Sequence, residues 1–127
     1  MQDKHLFEYA IIRVVPRVER EEFINVGVIL YCAKKKFLKC KLHLDVQKLF
    51  AICKAADAEE LSENLKAIQT ICTGDKNSGP IGQLDQASKF RWLTATRSTV
   101  VQSSKVHPGF CDEPEQMLER LHEQFVL

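Results

Sequence analysis

The sequence predicts an α+β fold, in which an antiparallel sheet of about four strands carries helices packed mainly on one face. Three observations lead to this prediction. Segments rich in β-branched and aromatic residues are grouped early in the chain, amphipathic helical patterns follow them, and a proline-marked helix start lies near the end. With 127 residues, of which 45% are hydrophobic, the chain fits one domain, residues 1–127, around a single core.

Three strands are predicted in the first part of the chain. Residues 7–15 read F-E-Y-A-I-I-R-V-V and stop at Pro16, which cannot donate to a ladder. Residues 24–32 and 37–44 form the next two strands, and the last of these alternates apolar with polar side chains. A loop of lysines at positions 34–36 would then place Leu30 opposite Cys40, with the apolar side chains of both strands on one buried face.

Helices are predicted from their capping residues. Asp45 can cap a short helix, and Asp57 opens a longer one that Gly74 ends. Further amphipathic turns lead into Trp92, which this pattern places in the core. Pro114 marks the first turn of the last helix.

A fourth strand is predicted over residues 99–104, beside the first strand, with H-P-G turning the chain after it. It lies within a polar stretch, R-W-L-T-A-T-R-S-T-V-V-Q-S-S-K-V-H-P-G, at residues 91–109. The candidate binding residues in this stretch are Arg97, Ser98, Thr99, Gln102, Ser104 and His107. A guanidinium beside hydroxyls and main-chain donors is a receptor for phosphate or carboxylate. The alternative is a polar edge strand with Arg97 in a structural salt bridge.

Two further polar residues lie within the predicted sheet. Arg13 interrupts an apolar strand, so we expect it to pair with a carboxylate or to face a ligand. Asn25 lies close to Gly27, a glycine whose position within a strand marks a bulge or the close approach of another backbone. Arg13 and Asn25 are candidate binding residues for a partner or an anion, with structural packing as the alternative. Whether Arg13 and Arg97 share a site stays open at this point.

Composition argues against several function classes. Eighteen basic and seventeen acidic residues leave a net charge of +1, which disfavours a nucleic-acid-binding role. Five cysteines without a C-x-x-C spacing indicate a reduced cytosolic protein. The first residues are too polar for a signal peptide and no apolar run approaches ~18 residues, so we expect a cytoplasmic location and no membrane contact.

No metal, cofactor or catalytic residue is predicted. His107 and Cys111 are four positions apart, but Pro108 and Gly109 prevent the helix that would align them as ligands. Most cysteines lie on predicted core stripes, which disfavours cysteine–histidine catalysis. The sequence contains no glycine-rich phosphate loop, nucleophile elbow or H-E-x-x-H motif. An enzyme is therefore the less favoured class.

Three separated motifs resemble one known family. Y-A-I-I-R-V-V-P at residues 9–16, F-I-N-V-G-V-I-L-Y at residues 23–31, and F-R-W-L-T-A-T-R-S-T-V-V-Q at residues 90–102 with V-H-P-G at residues 106–109 are similar to the bacterial domain-of-unknown-function family 3037 (DUF3037). The resemblance spans nearly the whole chain. It implies a small cytosolic bacterial protein, often encoded beside a HipA-like serine/threonine kinase, and it implies no particular reaction.

Two functional hypotheses follow. The first is a non-catalytic binding or regulatory module that docks on a partner protein; the resemblance makes a HipA-like kinase the partner, with a regulatory or antitoxin-like outcome. The alternative is a binder or enzyme for a small phosphorylated or nucleotide ligand. In that case Arg97 and Arg13 would clamp the anion and His107 would transfer a proton.

Overall fold

A five-stranded antiparallel sheet forms the centre of the computed structural model, which describes residues 4–95, 97 and 99–127. The strands are β1 (His5–Val14), β2 (Ile24–Cys32), β3 (Phe37–Leu42), β4 (Val101–Ser103) and β5 (His107–Cys111). The helices are α1 (Val46–Ile52), α2 (Ala58–Thr73), α3 (Gly79–Gly82), α4 (Gln86–Leu93) and α5 (Pro114–Phe125), with a 3-10 turn at Val18–Arg20. The predicted α+β class is confirmed.

β1 lies inside the sheet and pairs with three of the other strands, β2, β4 and β5. The strand order is β3-β2-β1-β4, and β5 also pairs with β1, so β4 and β5 follow one another along the same side of β1. Ile12 of β1 is opposite Ser103 of β4, which confirms the predicted pairing of the fourth strand beside the first. The predicted H-P-G turn is wrong, because His107, Pro108 and Gly109 begin β5. An edge strand tolerates the missing N–H of a proline.

Helices cover both faces of the sheet, with most of them on one. The first face carries Ala10, Ile12 and Val14 of β1 and packs against α1, α2 and α4. The second face carries Phe7 and Ile11 of β1 and packs against α5. The helical residues buried on the first face are Leu49, Leu61, Leu65, Phe90 and Leu93, and those on the second are Leu118 and Leu121.

The β2–β3 hairpin has a different register from the predicted one. Ile29 is opposite Cys40 and Leu30 is opposite Lys39, with residues 33–36 as the loop. The predicted pairing of Leu30 with Cys40 is therefore wrong by one residue. The physical reason is that β2 is apolar on both sides and both sides are covered, so its own pattern does not select one register over the other.

The polar side of β3 faces α5 through two ion pairs. Lys39 Nζ lies 2.7 Å from Glu115 Oε1, and Lys41 Nζ is paired with Glu119. Both pairs are about half exposed, so each contributes at most about 1 kcal/mol. The two ion pairs explain how lysines of β3 can lie on the face that α5 covers. The lysine ammonium groups reach partly exposed carboxylates of α5.

The predicted helix starts and the predicted stop at Gly74 are confirmed. Asp45 Oδ1 accepts from the main-chain N–H of Gln47 at 3.0 Å, and Asp57 Oδ1 accepts from that of Glu60 at 3.0 Å. Gly74 has φ 72°, the left-handed conformation that favours glycine, at the point where α2 ends. Asp57 and Gly74 set the two ends of α2, which supplies one wall of the candidate site.

β2 and β3 approach closely at Gly27. A Cβ atom there would lie 2.7 Å from the carbonyl oxygen of Lys41 and 2.3 Å from Leu42 Cδ2. The register between β1 and β2 shifts between Ile12 and Arg13, beside this glycine. The predicted close approach at Gly27 is confirmed, and packing accounts for it.

Candidate functional site

A groove of about 420 Å³ lies on the first face, between α2, the end of α4 and β4. Ile12 and Leu93, both buried, line its inner part. Ile68 and Ile71 of α2 line one side, and residues 99–103 line the other. The remaining lining residues are Asn64, Ala67, Trp92 and Arg97. The groove is therefore mainly apolar, with polar groups concentrated along β4 and its approach.

Arg97 and Trp92 form a stacked pair in this groove. The guanidinium carbon of Arg97 lies 4.3 Å from the centre of the Trp92 ring, and Nη2 donates to the Trp92 carbonyl oxygen. Among the described residues no carboxylate lies within 4.0 Å of this guanidinium. The ring and the carbonyl oxygen of Trp92 hold it instead. A guanidinium has five N–H donors, and among the described residues the Trp92 carbonyl accepts from one nitrogen of Arg97.

Trp92 lies at the rim of the groove with 41% of its surface exposed, so its predicted place in the core is wrong. The buried side of α4 carries Phe90 and Leu93, three positions apart. Trp92 falls outside that stripe, which a stricter reading of the helical spacing would have revealed.

Thr99 and Gln102 shape the approach to β4. Thr99 Oγ1 donates to the Val101 carbonyl oxygen at 2.7 Å, and Gln102 Nε2 donates to the Thr99 carbonyl oxygen at 2.7 Å. Both residues line the groove, as Arg97 does, but Gln102 is opposite Arg13 in the ladder, so its side chain leaves the sheet on the second face. Ser98, the other predicted binding residue of this segment, lies outside the described residues.

Ser104 and His107, also predicted as binding residues, lie away from the groove. Ser104 is 7% exposed, and its Oγ accepts from the Ile11 amide at 2.8 Å and donates to the Lys105 carbonyl at 2.9 Å. His107 is opposite Tyr9, with their ring centres 5.4 Å apart, and Tyr9 packs on the second face. Ser104 therefore joins the sheet, and His107 is separated from Arg97 by it.

Arg13 and Asn25 also lie on the second face. Arg13 alternates with Ile12 and with Val14, which pack on the first face, and its guanidinium carbon lies 4.1 Å from the centre of the Phe23 ring. Asn25, opposite Arg13, donates from Nδ2 to the carbonyl oxygen of Phe125 at 3.1 Å. Arg13 and Arg97 therefore do not share a site. The carboxylate predicted for Arg13 is not found among the described residues, and the Phe23 ring takes its place.

The chain matches one family model over residues 9–126, and that family is described as Protein of unknown function (DUF3037). The chain belongs to DUF3037. The resemblance of its three motifs to this family is confirmed, and the match covers nearly the whole chain. No curated protein and no solved structure matches the chain.

Two thiols of this DUF3037 domain, those of Cys40 and Cys111, are poorly suited to act as nucleophiles. Cys111 is buried. Burial, with the nearby Cys32 and Asp112, raises the pKa of the Cys111 thiol. A hydrogen bond with Cys72 and burial raise the pKa of Cys40. Both thiols are therefore protonated near neutral pH, and the thiolate is the reactive form.

Residues 4–95, 97 and 99–127 hold no group of three or more His, Cys, Asp or Glu side chains suited to a metal ion. None of the helices in that part of the chain has the length and apolar character needed to cross a bilayer.

Proposed function

We propose that this domain is a non-catalytic binding module, and that the groove between α2, α4 and β4 receives a segment of a partner protein. The observation that carries the proposal is the pair formed by Trp92 and Arg97 at the rim of an apolar groove. Tryptophan and arginine are enriched among the residues that dominate binding energy at protein interfaces. Here they lie beside Ile68 and Ile71, which offer apolar surface to the same occupant.

The charge of the groove defines the chemistry of the occupant. Among its described lining residues, Arg97 is the sole ionisable side chain. A guanidinium keeps its positive charge at neutral pH, so it can pair with an anion but does not act there as an acid or a base. The groove therefore suits the recognition of a carboxylate beside apolar groups, and proton transfer by His107 would have to act from the other face of the sheet.

The family resemblance favours a HipA-like serine/threonine kinase as the partner, with a regulatory or antitoxin-like outcome. An acidic and apolar segment of such a kinase would enter the groove, while the remaining contact surface would supply polar specificity. Binding would then hold the kinase in one state or block one of its surfaces.

Co-expression tests this proposal directly. The domain is expressed with a HipA-like serine/threonine kinase, and the pair is purified through a tag on one of them. Trp92→Ala and Arg97→Ala should each weaken the complex by about 2 kcal/mol or more, which is about thirtyfold in Kd. Arg91→Ala is the matched control, because Arg91 is an exposed cation on α4 that does not line the groove.

Two results would remove the proposal. One is a kinase and a domain that elute independently at micromolar concentration. The other is a complex that Trp92→Ala and Arg97→Ala leave as tight as Arg91→Ala does, since the contact would then lie elsewhere.

A small phosphorylated or nucleotide ligand is a second candidate, favoured by the size of the groove. Its volume of about 420 Å³ falls within the range of small-molecule sites, and Arg97 would contact the phosphate. Calorimetric titration of nucleotides and phosphosugars tests it. Binding that Arg97→Ala abolishes would establish this function, and no heat at millimolar ligand would exclude it.

A further inference from the structure

β4 is an edge strand, and some of its main-chain N–H and C=O groups point away from the sheet. The Val15 amide donates to the Val100 carbonyl at 2.6 Å, and the Ser104 amide donates to the Ile11 carbonyl at 2.8 Å. Because hydrogen-bonded pairs alternate along an antiparallel ladder, Gln102 also faces β1, and the N–H groups of Val101 and Ser103 point outward. The Ser103 carbonyl points the same way.

This part of the edge is only three residues long, which limits strand pairing, but it lacks two other features that prevent it, a proline and a charged side chain. Proteins commonly protect an edge with proline, lysine or a bulge. The other half of the same edge, β5, contains Pro108 and is preceded by Lys105. Residues 99–104 read T-V-V-Q-S-S and carry neither a proline nor a charge. The half of the edge without proline or lysine is also the half that lines the groove.

From this geometry we infer that the partner binds by strand addition: an extended segment pairs with β4 and continues the sheet. Side chains alternate along an added strand, so every second one points to the first face, into the space beside Ile68 and Ile71. Arg97 is the sole ionisable side chain among the described lining residues, so one groove-facing side chain of the added segment carries a carboxylate. The next groove-facing side chain of that segment is apolar and packs beside Ile68 and Ile71. This inference rests on the proposed function and specifies how its groove is occupied.

Residues of the segment that share the groove side are two positions apart, about 6.6 to 6.8 Å along the strand. The recognised chemistry is therefore an extended stretch of a partner protein in which an acidic residue and an apolar residue are separated by one residue. A helix would not satisfy the outward N–H groups of β4, because its own N–H groups and carbonyls are already paired.

The probe for this inference is a library of random linear peptides displayed on phage and selected on the immobilised domain. The expected result is enrichment of sequences with Asp or Glu two positions from an aliphatic or aromatic residue. The enriched peptide is then synthesised, and its affinity should fall at least about tenfold on Arg97→Ala.

Amide hydrogen exchange gives the direct structural readout. In the free domain the amides of Gln102 and Ser104 should exchange slowly, and those of Val101 and Ser103 rapidly. Peptide binding should protect Val101 and Ser103. Unchanged exchange at both amides in the presence of saturating peptide would overturn strand addition.

Ser103→Pro tests the edge itself, because it removes an outward N–H and leaves the bonds to β1 in place. It should weaken peptide binding at least about tenfold, and by more than Ser103→Ala does, since alanine at this groove position keeps the N–H. A peptide N-methylated at the amide that pairs with β4 applies the same test without changing the protein, and should also lose affinity.

The outcomes separate this inference from the proposed function. Loss of binding on Trp92→Ala, with full binding by Ser103→Pro and by the N-methylated peptide, would keep the groove and overturn strand addition. A library that yields no enriched peptide would also overturn strand addition, while co-purification with the kinase still decides the proposed function. Loss of binding in all of these variants would support both.

Discussion

Ser104→Ala is expected to destabilise the fold, because the side chain of Ser104 takes the place of a main-chain acceptor in the sheet. The Ile11 amide donates to Ser104 Oγ at 2.8 Å, at the point where the edge of the sheet passes from β4 to β5. With Ser104 only 7% exposed, alanine would leave this amide without a protein acceptor and largely out of reach of water.

The size of the effect follows from that lost bond. A buried donor left unsatisfied costs about 1–3 kcal/mol, so we expect a loss of about 2 kcal/mol. With an unfolding entropy of about 2.1 cal/mol/K per residue, a domain of 127 residues should then lose about 7 °C in Tm. The lost bond to Lys105 adds little, since Lys105 is exposed and its carbonyl can turn to water.

The assay is urea and thermal unfolding followed by circular dichroism, with Ser103→Ala as the matched control. The Ser103 hydroxyl donates to the Ser104 carbonyl at 2.9 Å, but this residue is only partly buried. We expect the control to change the free energy of unfolding by less than about 0.5 kcal/mol. Equal stability of the two variants would show that Ser104 Oγ does not stabilise the sheet as an acceptor. Ser104 would then again be a candidate binding residue.

Three further predictions concern stability. Gly27→Ala should lower the free energy of unfolding by about 1–3 kcal/mol in urea titrations, because the new Cβ would lie 2.7 Å from the Lys41 carbonyl oxygen; an unchanged midpoint would contradict this. Asp57→Ala should cost about 1 kcal/mol in the same assay by removing the cap of α2, and Asp57→Asn should cost less, whereas equal costs would argue against the capping bond. Burial, with nearby Lys41, lowers the pKa of His122 below its usual 6.5. The unfolded chain then binds the proton more readily, so stability should be full above pH 6.5 and decline as the pH falls below it. His122→Phe should reduce that decline between pH 7.5 and 5.5, and an identical slope in this variant would assign it to other groups.

The strands and helices of this domain could be predicted wherever local chemistry decides them. Asp57 and Gly74 define α2 by capping and by a left-handed φ, which are properties of a few neighbouring residues. The register of β2 could not be predicted in the same way, since it depends on α5 covering the second face. Leu30 is apolar and is buried opposite Lys39, whose ammonium group reaches Glu115 on that helix.

The candidate site was predicted in part. Arg97, Thr99 and Gln102 all line one groove, because they are close in the chain and precede or form a single short strand. Arg13 and His107 were placed with them from side-chain type alone, and alternation along the sheet sends both to the opposite face. The apolar part of the groove comes from α2, and no local pattern reports which side of a helix borders an edge strand.

The position of β1 in the sheet affects the order in which the strands can pair during synthesis. Its partners on one side, β4 and β5, come from the last third of the chain, so that Ile12 meets Ser103 across most of the sequence. While a ribosome is still synthesising that last third, β1 and the β2–β3 hairpin can form a sheet whose other edge has no partner. Closing so long a loop is slow, and the unpaired side of β1 is meanwhile open to other chains. The nascent chain should therefore depend on chaperones, or on a partner made at the same time, until its final residues emerge.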